Sequence, residues 1–262
     1  MNKMIKAELF KYKKRKVYLL CILLFMVHVL MALSNIFSTN LYAEEGQSLL
    51  YWLDMTFLMN SMLYISPVIF AAVSSLNMLE EKENHFLGML VQRKSKEYVY
   101  HVKIIANMIV LMSMFFIEMS GGIFIYYCAC FFGDGKTNLA GSLFGRGYNV
   151  EGIVFLIEYF IFYCVLIPLM INGIGSFVKG KSKLILSFIS VIFMSRMISS
   201  EGIFRVILPW NILKEFSIIE TGFGGNDIRW SCISLFHAVL VTLVLGGICY
   251  LAGKYKLKKS NV

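Results

Sequence analysis

The chain has 262 residues and a formal net charge of +9, and 58% of its residues are hydrophobic while only 16% are charged. A typical soluble domain is about 45–50% apolar and about 25% charged, so a water-soluble fold of this size would lack polar groups to cover it. The mean hydropathy of +0.70 indicates that lipid surrounds most of the sequence. The cations cluster beside apolar runs, which is typical of membrane-flanking residues and argues against a nucleic-acid partner.

Six apolar stretches are candidates for membrane-spanning helices, which need about 20 mostly apolar residues each. We therefore predict an all-α membrane protein that forms a single domain over residues 1–262. The first apolar run is longer than the core of a secretory signal, so we expect an uncleaved helix. Residues 199–231 are expected to form an outer loop or a re-entrant segment. The predicted spans are 17–37, 57–79, 104–132, 153–178, 184–198 and 233–251.

The distribution of Lys and Arg predicts the orientation, because these residues resist translocation across the membrane. With the N-terminus in the cytoplasm, the cytoplasmic segments 1–16, 80–103, 179–183 and 252–262 hold 19 of the 25 cations, and the outer loops hold 5. We therefore expect a multi-pass protein of the cell membrane, specifically a bacterial plasma membrane, with both termini in the cytoplasm.

Three ionisable residues, Glu118, Glu158 and Arg196, lie inside predicted spans, where charge is costly and often functional. They are candidates for a polar substrate path or a proton relay, or for an interhelical ion pair that fixes packing. Glu118 and Arg196 lie at matching predicted depths, and Glu158 lies near the outer end of its span. The intramembrane histidines lack a second ligand at metal spacing, so no metal site is predicted.

Two predicted cytoplasmic segments carry apolar residues that would be exposed to water unless lipid or a partner protein covers them. Residues 1–16 have the pattern of an amphipathic helix on an anionic leaflet. Between the second and third spans, residues 80–103 contain an apolar patch over 86–91 that predicts a short docking helix. The candidate contact residues there are Glu83, Phe86, Leu87, Leu90 and Arg93.

The sequence contains no motif for an energy source or a catalytic site. The segment 133–137 ends like a phosphate-binding loop, but Cys130 replaces the first required glycine. No zinc-helix motif or nucleophile elbow is present either. We therefore expect a chain that is not an enzyme and does not hydrolyse ATP alone.

Residues 4–16, running into the first span, and the later series Glu83, Gly88, Leu90, Ser95-Lys96, Tyr100 and Lys103 resemble ABC type-2 permeases. The chain is most similar to the small subunits of lantibiotic self-protection exporters, and the order of six spans matches over nearly the whole chain. Members of the family often have a Pro before a Ser-Arg pair at this point. This chain has Arg93-Lys94-Ser95-Lys96 there instead. Pro209-Trp210 also looks like a Pro-Trp step in some of these subunits, which makes the two residues candidate outer-loop contacts for a peptide.

The resemblance implies a permease that pairs with a second permease subunit, in a homo- or heterodimer, and with two ATPase subunits that bind ATP and Mg. Residues 80–96 would form the coupling helix beside the N-terminal helix, and an antimicrobial peptide would be the substrate. Two alternatives remain open. The chain could be an ion- or proton-coupled secondary transporter, although no inverted repeat is visible, or a non-transporting sensor or assembly subunit.

The topology prediction can be tested with a reporter that is active only in the cytoplasm. Fusions after Val262 or within residues 85–95 should be active, because the cation distribution places both positions inside. Activity from a fusion near Gly141 would contradict this orientation.

Overall fold

A computed structural model of the chain describes residues 2–37, 47–76, 95–133, 139–144, 150–177 and 228–259. These residues are almost entirely helical, and their only β pairing is an isolated bridge between Gln47 and Leu139. A 3-10 turn, Val17–Leu20, precedes α2, and π-helical turns at Ile161–Leu166 and Thr242–Gly246 join α6 to α7 and α8 to α9. The helices are α1 (Asn2–Lys14), α2 (Cys21–Phe37), α3 (Leu49–Met62), α4 (Ile65–Leu76), α5 (Lys96–Phe132), α6 (Val150–Phe160), α7 (Ile167–Gly175), α8 (Ile228–Val241) and α9 (Gly247–Lys259).

Four helical stretches of the described chain are long and apolar enough to cross a membrane. They are Val17–Ile36, Lys96–Phe132, Gly152–Gly175 and Cys232–Lys259, and the bent pair α3–α4 makes a fifth if it counts as one span. These stretches match the first, third, fourth and sixth predicted spans. The fifth predicted span, 184–198, lies outside the described residues.

The second predicted span differs from the structure in its start and its shape. Its helix begins at Leu49, ahead of the predicted residue 57, and the chain bends by 68° between α3 and α4. Tyr64 has a φ of 61° at this break, in the left-handed region that ends regular helix. The charged residue Asp54 lies in the part of the helix ahead of the predicted start, yet its side chain is only 3% exposed, so the helix is buried within the bundle from this point.

The first span shows how the bundle divides protein from lipid. Its buried residues recur at helical spacing on one face, and a stripe of large apolar residues lies exposed on the other. In water such a stripe would be unfavourable, whereas lipid chains cover it without cost. The exposed stripe comprises Leu19, Ile22, Leu23, Met26, Val29, Leu30 and Leu33.

Helix α5 is the longest element, and its 37 residues extend for about 55 Å, well beyond a hydrocarbon core of about 30 Å. Ser95 begins the helix as its N-cap, accepting a hydrogen bond from the backbone N–H of Tyr98. The part of the predicted cytoplasmic segment from residue 96 to residue 103 is therefore continuous with the third span rather than a separate element.

Helix α1 packs against the first part of α5, which defines one end of the bundle, called here the base. Glu8 of α1 is 2% exposed and its carboxylate accepts from Lys11 at 2.9 Å and lies 3.7 Å from Lys103 Nζ. Tyr12 donates to Asn107 Oδ1 at 3.2 Å. One face of this predicted surface helix thus packs on protein.

The ends of α4 and α9 also reach the base. Arg15 donates to the backbone carbonyl of Leu76, the last residue of α4, at 3.2 Å. Lys254 and Lys258 of α9 lie 3.3 and 3.6 Å from the carboxylate of Glu97. Both described termini of the chain therefore lie at the same end of the bundle.

The last two described spans run in the same direction, since α8 packs on α6 and α9 packs on α7. Residues 178–227, which connect the two spans, lie outside the described part. The predicted outer segment 199–231 also ends earlier than expected, because α8 begins at Ile228.

The crossing of α7 and α9 depends on two glycines. A Cβ at Gly173 would lie 2.8 Å from the carbonyl carbon of Cys249, and one at Gly253 would lie 2.9 Å from the Cα of Gly173. Only a residue without a side chain allows the backbones this close, as in other membrane helix pairs.

Replacing Gly173 with Val should therefore destabilise the bundle by about 1–3 kcal/mol, the usual cost of overpacking. Gly247→Ala is the matched control, because beyond the local helix backbone no atom of the described residues lies within 4 Å of a Cβ at that position. Thermal unfolding in lipid nanodiscs measures both variants. Equal unfolding temperatures for the two variants would show that α7 and α9 do not cross this closely.

Candidate functional site

The most unusual feature of the bundle is a polar group of three side chains in an apolar interior. It comprises His28 of α2, Asn60 of α3 and Glu118 of α5, each 0% exposed, and is called here the buried polar cluster. Glu118 lies 15 residues, or about 22 Å, beyond Lys103 along α5. Four fully or nearly buried apolar residues of α5 separate the cluster from the polar contacts at the base: Val110, Leu111, Met114 and Phe115.

Asn60 joins the three helices of the cluster. Its amide nitrogen donates to Glu118 Oε1 at 2.8 Å and to the backbone carbonyl of Leu24 at 3.1 Å. One asparagine amide has two hydrogens, so both bonds can form together. These bonds fix which residues of α2, α3 and α5 face one another.

His28 lies beside the carboxylate in an aromatic enclosure. Its Nε2 is 3.8 Å from Glu118 Oε1, which is too long for a hydrogen bond. The imidazole centroid lies 5.2 Å from the Trp52 ring and 5.7 Å from Phe57, which meets it edge-on. Gly122, one turn after Glu118, leaves room for the ring, because a Cβ there would lie 2.8 Å from its Cε1.

Several polar atoms of the buried polar cluster and of the adjoining Trp52 have no hydrogen-bond partner within the described part of the chain. They include both imidazole nitrogens of His28, Glu118 Oε2 and Trp52 Nε1. A buried polar atom without a partner costs free energy, and such atoms are often associated with function. This arrangement can hold a proton or bind a small polar group when the helices separate.

Two further acidic side chains lie inside the described spans. Asp54 of α3 is 3% exposed, and its carboxylate lies so close to Gly152 of α6 that a Cβ there would be 2.5 Å from Oδ2. Glu158 of α6 is 1% exposed, so the structure places this predicted residue inside the bundle rather than at an open lipid boundary.

Aromatic residues connect the cluster to α6 and the π-helical turn. Phe57 packs on Tyr159 with ring centroids 4.7 Å apart, and Tyr159 packs on Tyr163 at 4.3 Å. The two tyrosine hydroxyls donate to Ser66 at 2.6 Å and Ser61 at 2.8 Å. This side of the cluster is therefore closed by packed rings whose polar ends are satisfied.

Among the predicted site residues, Glu118 and Glu158 fall in the described structure, and Glu118 is central to the buried polar cluster. The others lie outside the described residues: Glu83, Phe86, Leu87, Leu90, Arg93, Arg196, Pro209 and Trp210. Consequently the predicted Glu118–Arg196 pair stays a prediction. Sequence reasoning did not identify Asn60, although a lone amide in an apolar stretch is itself a signal for interhelical hydrogen bonding.

No group of three metal-ligating side chains occurs among the residues that the structure describes. Comparison of the chain with family models, curated proteins and solved structures gives no match. The described residues define a nearly all-helical protein with four or five candidate membrane-spanning helices, compatible with a multi-pass membrane protein.

Replacing Asn60 with Leu, which has a similar shape, should destabilise the protein by about 2–4 kcal/mol. The change removes two buried hydrogen bonds, one of them to a carboxyl group. Ser120→Ala is the control, because that hydroxyl only donates to a carbonyl of its own helix at an exposed position. Chemical unfolding in detergent compares the variants, and a similar small effect of both would contradict the role assigned to Asn60.

Proposed function

We propose that this chain is the membrane-spanning permease subunit of an ATP-driven ABC exporter of the bacterial plasma membrane. It works with a second permease subunit and with two copies of an ATPase that bind ATP and Mg, while the chain itself is not an enzyme. The substrate is a lantibiotic or a similar antimicrobial peptide, expelled from the membrane for self-protection. The resemblance of residues 4–16 and of the segment 83–103 to such permeases motivates this assignment.

The observation that carries the proposal is the arrangement at the base of the bundle. The segment expected to couple to the ATPase connects the end of α4 to the start of α5. Arg15, just after α1, binds the end of α4, and Glu8 of α1 pairs with Lys103 near the start of α5. An ATPase docked on that segment would therefore meet the N-terminal helix beside it, as the resemblance implies.

A continuous helix supplies a route from the base to the buried polar cluster. Helix α5 starts directly after the segment 80–94 and carries Glu118 without a break. A displacement of its first turn would be transmitted to Glu118, because a packed helix moves as a unit. Glu118, Glu158 and Arg196 are candidate residues of the substrate path, and Pro209 and Trp210 are candidate outer-loop contacts for the peptide.

The second candidate function is ion- or proton-coupled secondary transport, and one observation favours it: His28 and Glu118 lie together at 0% exposure. Intramembrane His and Glu residues are common in proton relays. Export from vesicles loaded with ATP but without an ion gradient supports the ABC assignment. Export that follows only an imposed gradient supports the second candidate.

The coupling role predicts the effect of replacing Phe86 and Leu87 together with Ala. Loss of two apolar side chains at the proposed contact should weaken binding of the ATPase and reduce its stimulation at least tenfold. Insertion of the protein should be unaffected, because every apolar span remains intact. Co-purification and ATP hydrolysis in lipid measure the two effects.

The matched control replaces two neighbouring aromatic residues at the other end of α5, Phe131 and Phe132, which are 80% and 73% exposed. Their loss should leave ATPase binding unchanged. Unchanged binding and stimulation in the Phe86 and Leu87 variant would refute the coupling role of this segment.

A further inference from the structure

We propose that the buried polar cluster is an intramembrane proton-binding site, in which Glu118 holds one proton as a neutral carboxylic acid beside His28. Glu118 holds this proton in the resting bundle, whether ATP or an ion gradient drives transport.

Burial is the first argument. Both side chains are 0% exposed, so no water at the protein surface solvates a charge on either of them. A buried charge is strongly unfavourable without an opposite charge or several hydrogen bonds. Glu118 accepts one hydrogen bond, from Asn60 to Oε1, while Oε2 has no partner in the described part of the chain. One amide bond is insufficient compensation for a full negative charge.

The distance between the two groups argues against a hydrogen-bonded ion pair. A charge-assisted hydrogen bond between imidazolium and carboxylate has its heavy atoms about 2.7–2.9 Å apart. His28 Nε2 lies 3.8 Å from Glu118 Oε1, so this bond is not formed and Glu118 lacks its main source of charge compensation. With Oε1 occupied by Asn60, the carboxylic proton belongs on Oε2.

Apart from His28, the surroundings supply no competing positive charge within the described residues. Besides the imidazole, the titratable side chains that interact electrostatically with Glu118 are Cys21 of α2, Tyr159 of α6 and Cys164 of the π-helical turn, none of them cationic. On α3, Trp52 and Phe57 face His28 with uncharged rings.

The site makes folding depend on pH with a defined sign. In the unfolded chain His titrates near pH 6.5 and Glu near pH 4.3, so above pH 6.5 neither carries the extra proton. The folded chain holds one proton more, and its folding equilibrium constant should fall tenfold for each pH unit above 6.5.

Infrared spectroscopy of the full chain in lipid nanodiscs tests the site directly. At pH 7.5 the wild-type protein should show a protonated-carboxyl band that is absent in Glu118→Gln and shifted in Glu118→Asp. Glu97→Gln is the matched control on the same helix. Its carboxylate is exposed and lies near Lys254 and Lys258, so the band should persist. Absence of the band from the wild-type protein, or its persistence unshifted in Glu118→Asp, overturns the proposal.

Equilibrium unfolding across pH 6.5–9 gives an independent readout. In the wild-type protein the free energy of unfolding should decrease as the pH rises. This slope should be lost in Glu118→Gln and retained in Glu97→Gln. The Arg196→Gln variant tests the rival explanation, in which the positive charge of Arg196 neutralises an ionised Glu118. The proton site predicts no change of slope or band in that variant. A carboxyl band that appears only after Arg196 is removed shows an ion pair instead and refutes the proton site.

Discussion

Polar side chains in an apolar bundle must find partners on neighbouring helices, and α5 arranges these partners along its length. The contacts form successive layers, separated by apolar packing, so each layer fixes one or two neighbouring segments against α5. A shift of any neighbour by one turn would break a whole layer at once. From the base outward the layers are Lys103 with Glu8, Asn107 with Tyr12 and Ser74, Glu118 with Asn60 and His28, and Tyr126 with Gln47 and Gly141.

The layers differ in how charge is compensated, and this difference separates their roles. At the base, the carboxylate of Glu8 lies between two lysines, Lys11 and Lys103. Glu118 has one amide donor and a distant imidazole, and holding a proton on a glutamate at pH 7 costs about 4 kcal/mol relative to water. The Born cost of burying an isolated ion is of order 20 kcal/mol, and the relaxed penalty is still several kcal/mol. Protonation is therefore the smaller cost for Glu118, whereas ion pairing serves Glu8.

Much of the helical architecture could be predicted from the sequence, because apolar length is a strong signal. Four predicted spans correspond to apolar helices in the structure. The early start of the second span could not be predicted, since the sequence does not show that Asp54 packs against Gly152 of a neighbouring helix. Glu118 was a candidate from its position alone, but its partners were not, because hydropathy does not report which faces of α2 and α3 meet α5.

The N-terminal helix, the start of α5 and the end of α9 meet at the base, which the distribution of Lys and Arg predicts to lie on the cytoplasmic side. The most direct measurement uses a cysteine-free chain with single cysteines at Glu97 or Lys254, labelled from either side of sealed vesicles. A pair at both positions is then treated with a short bifunctional maleimide. The account predicts labelling from the cytoplasmic side alone and efficient cross-linking within one chain. Labelling from the outside, or no cross-link, would contradict it.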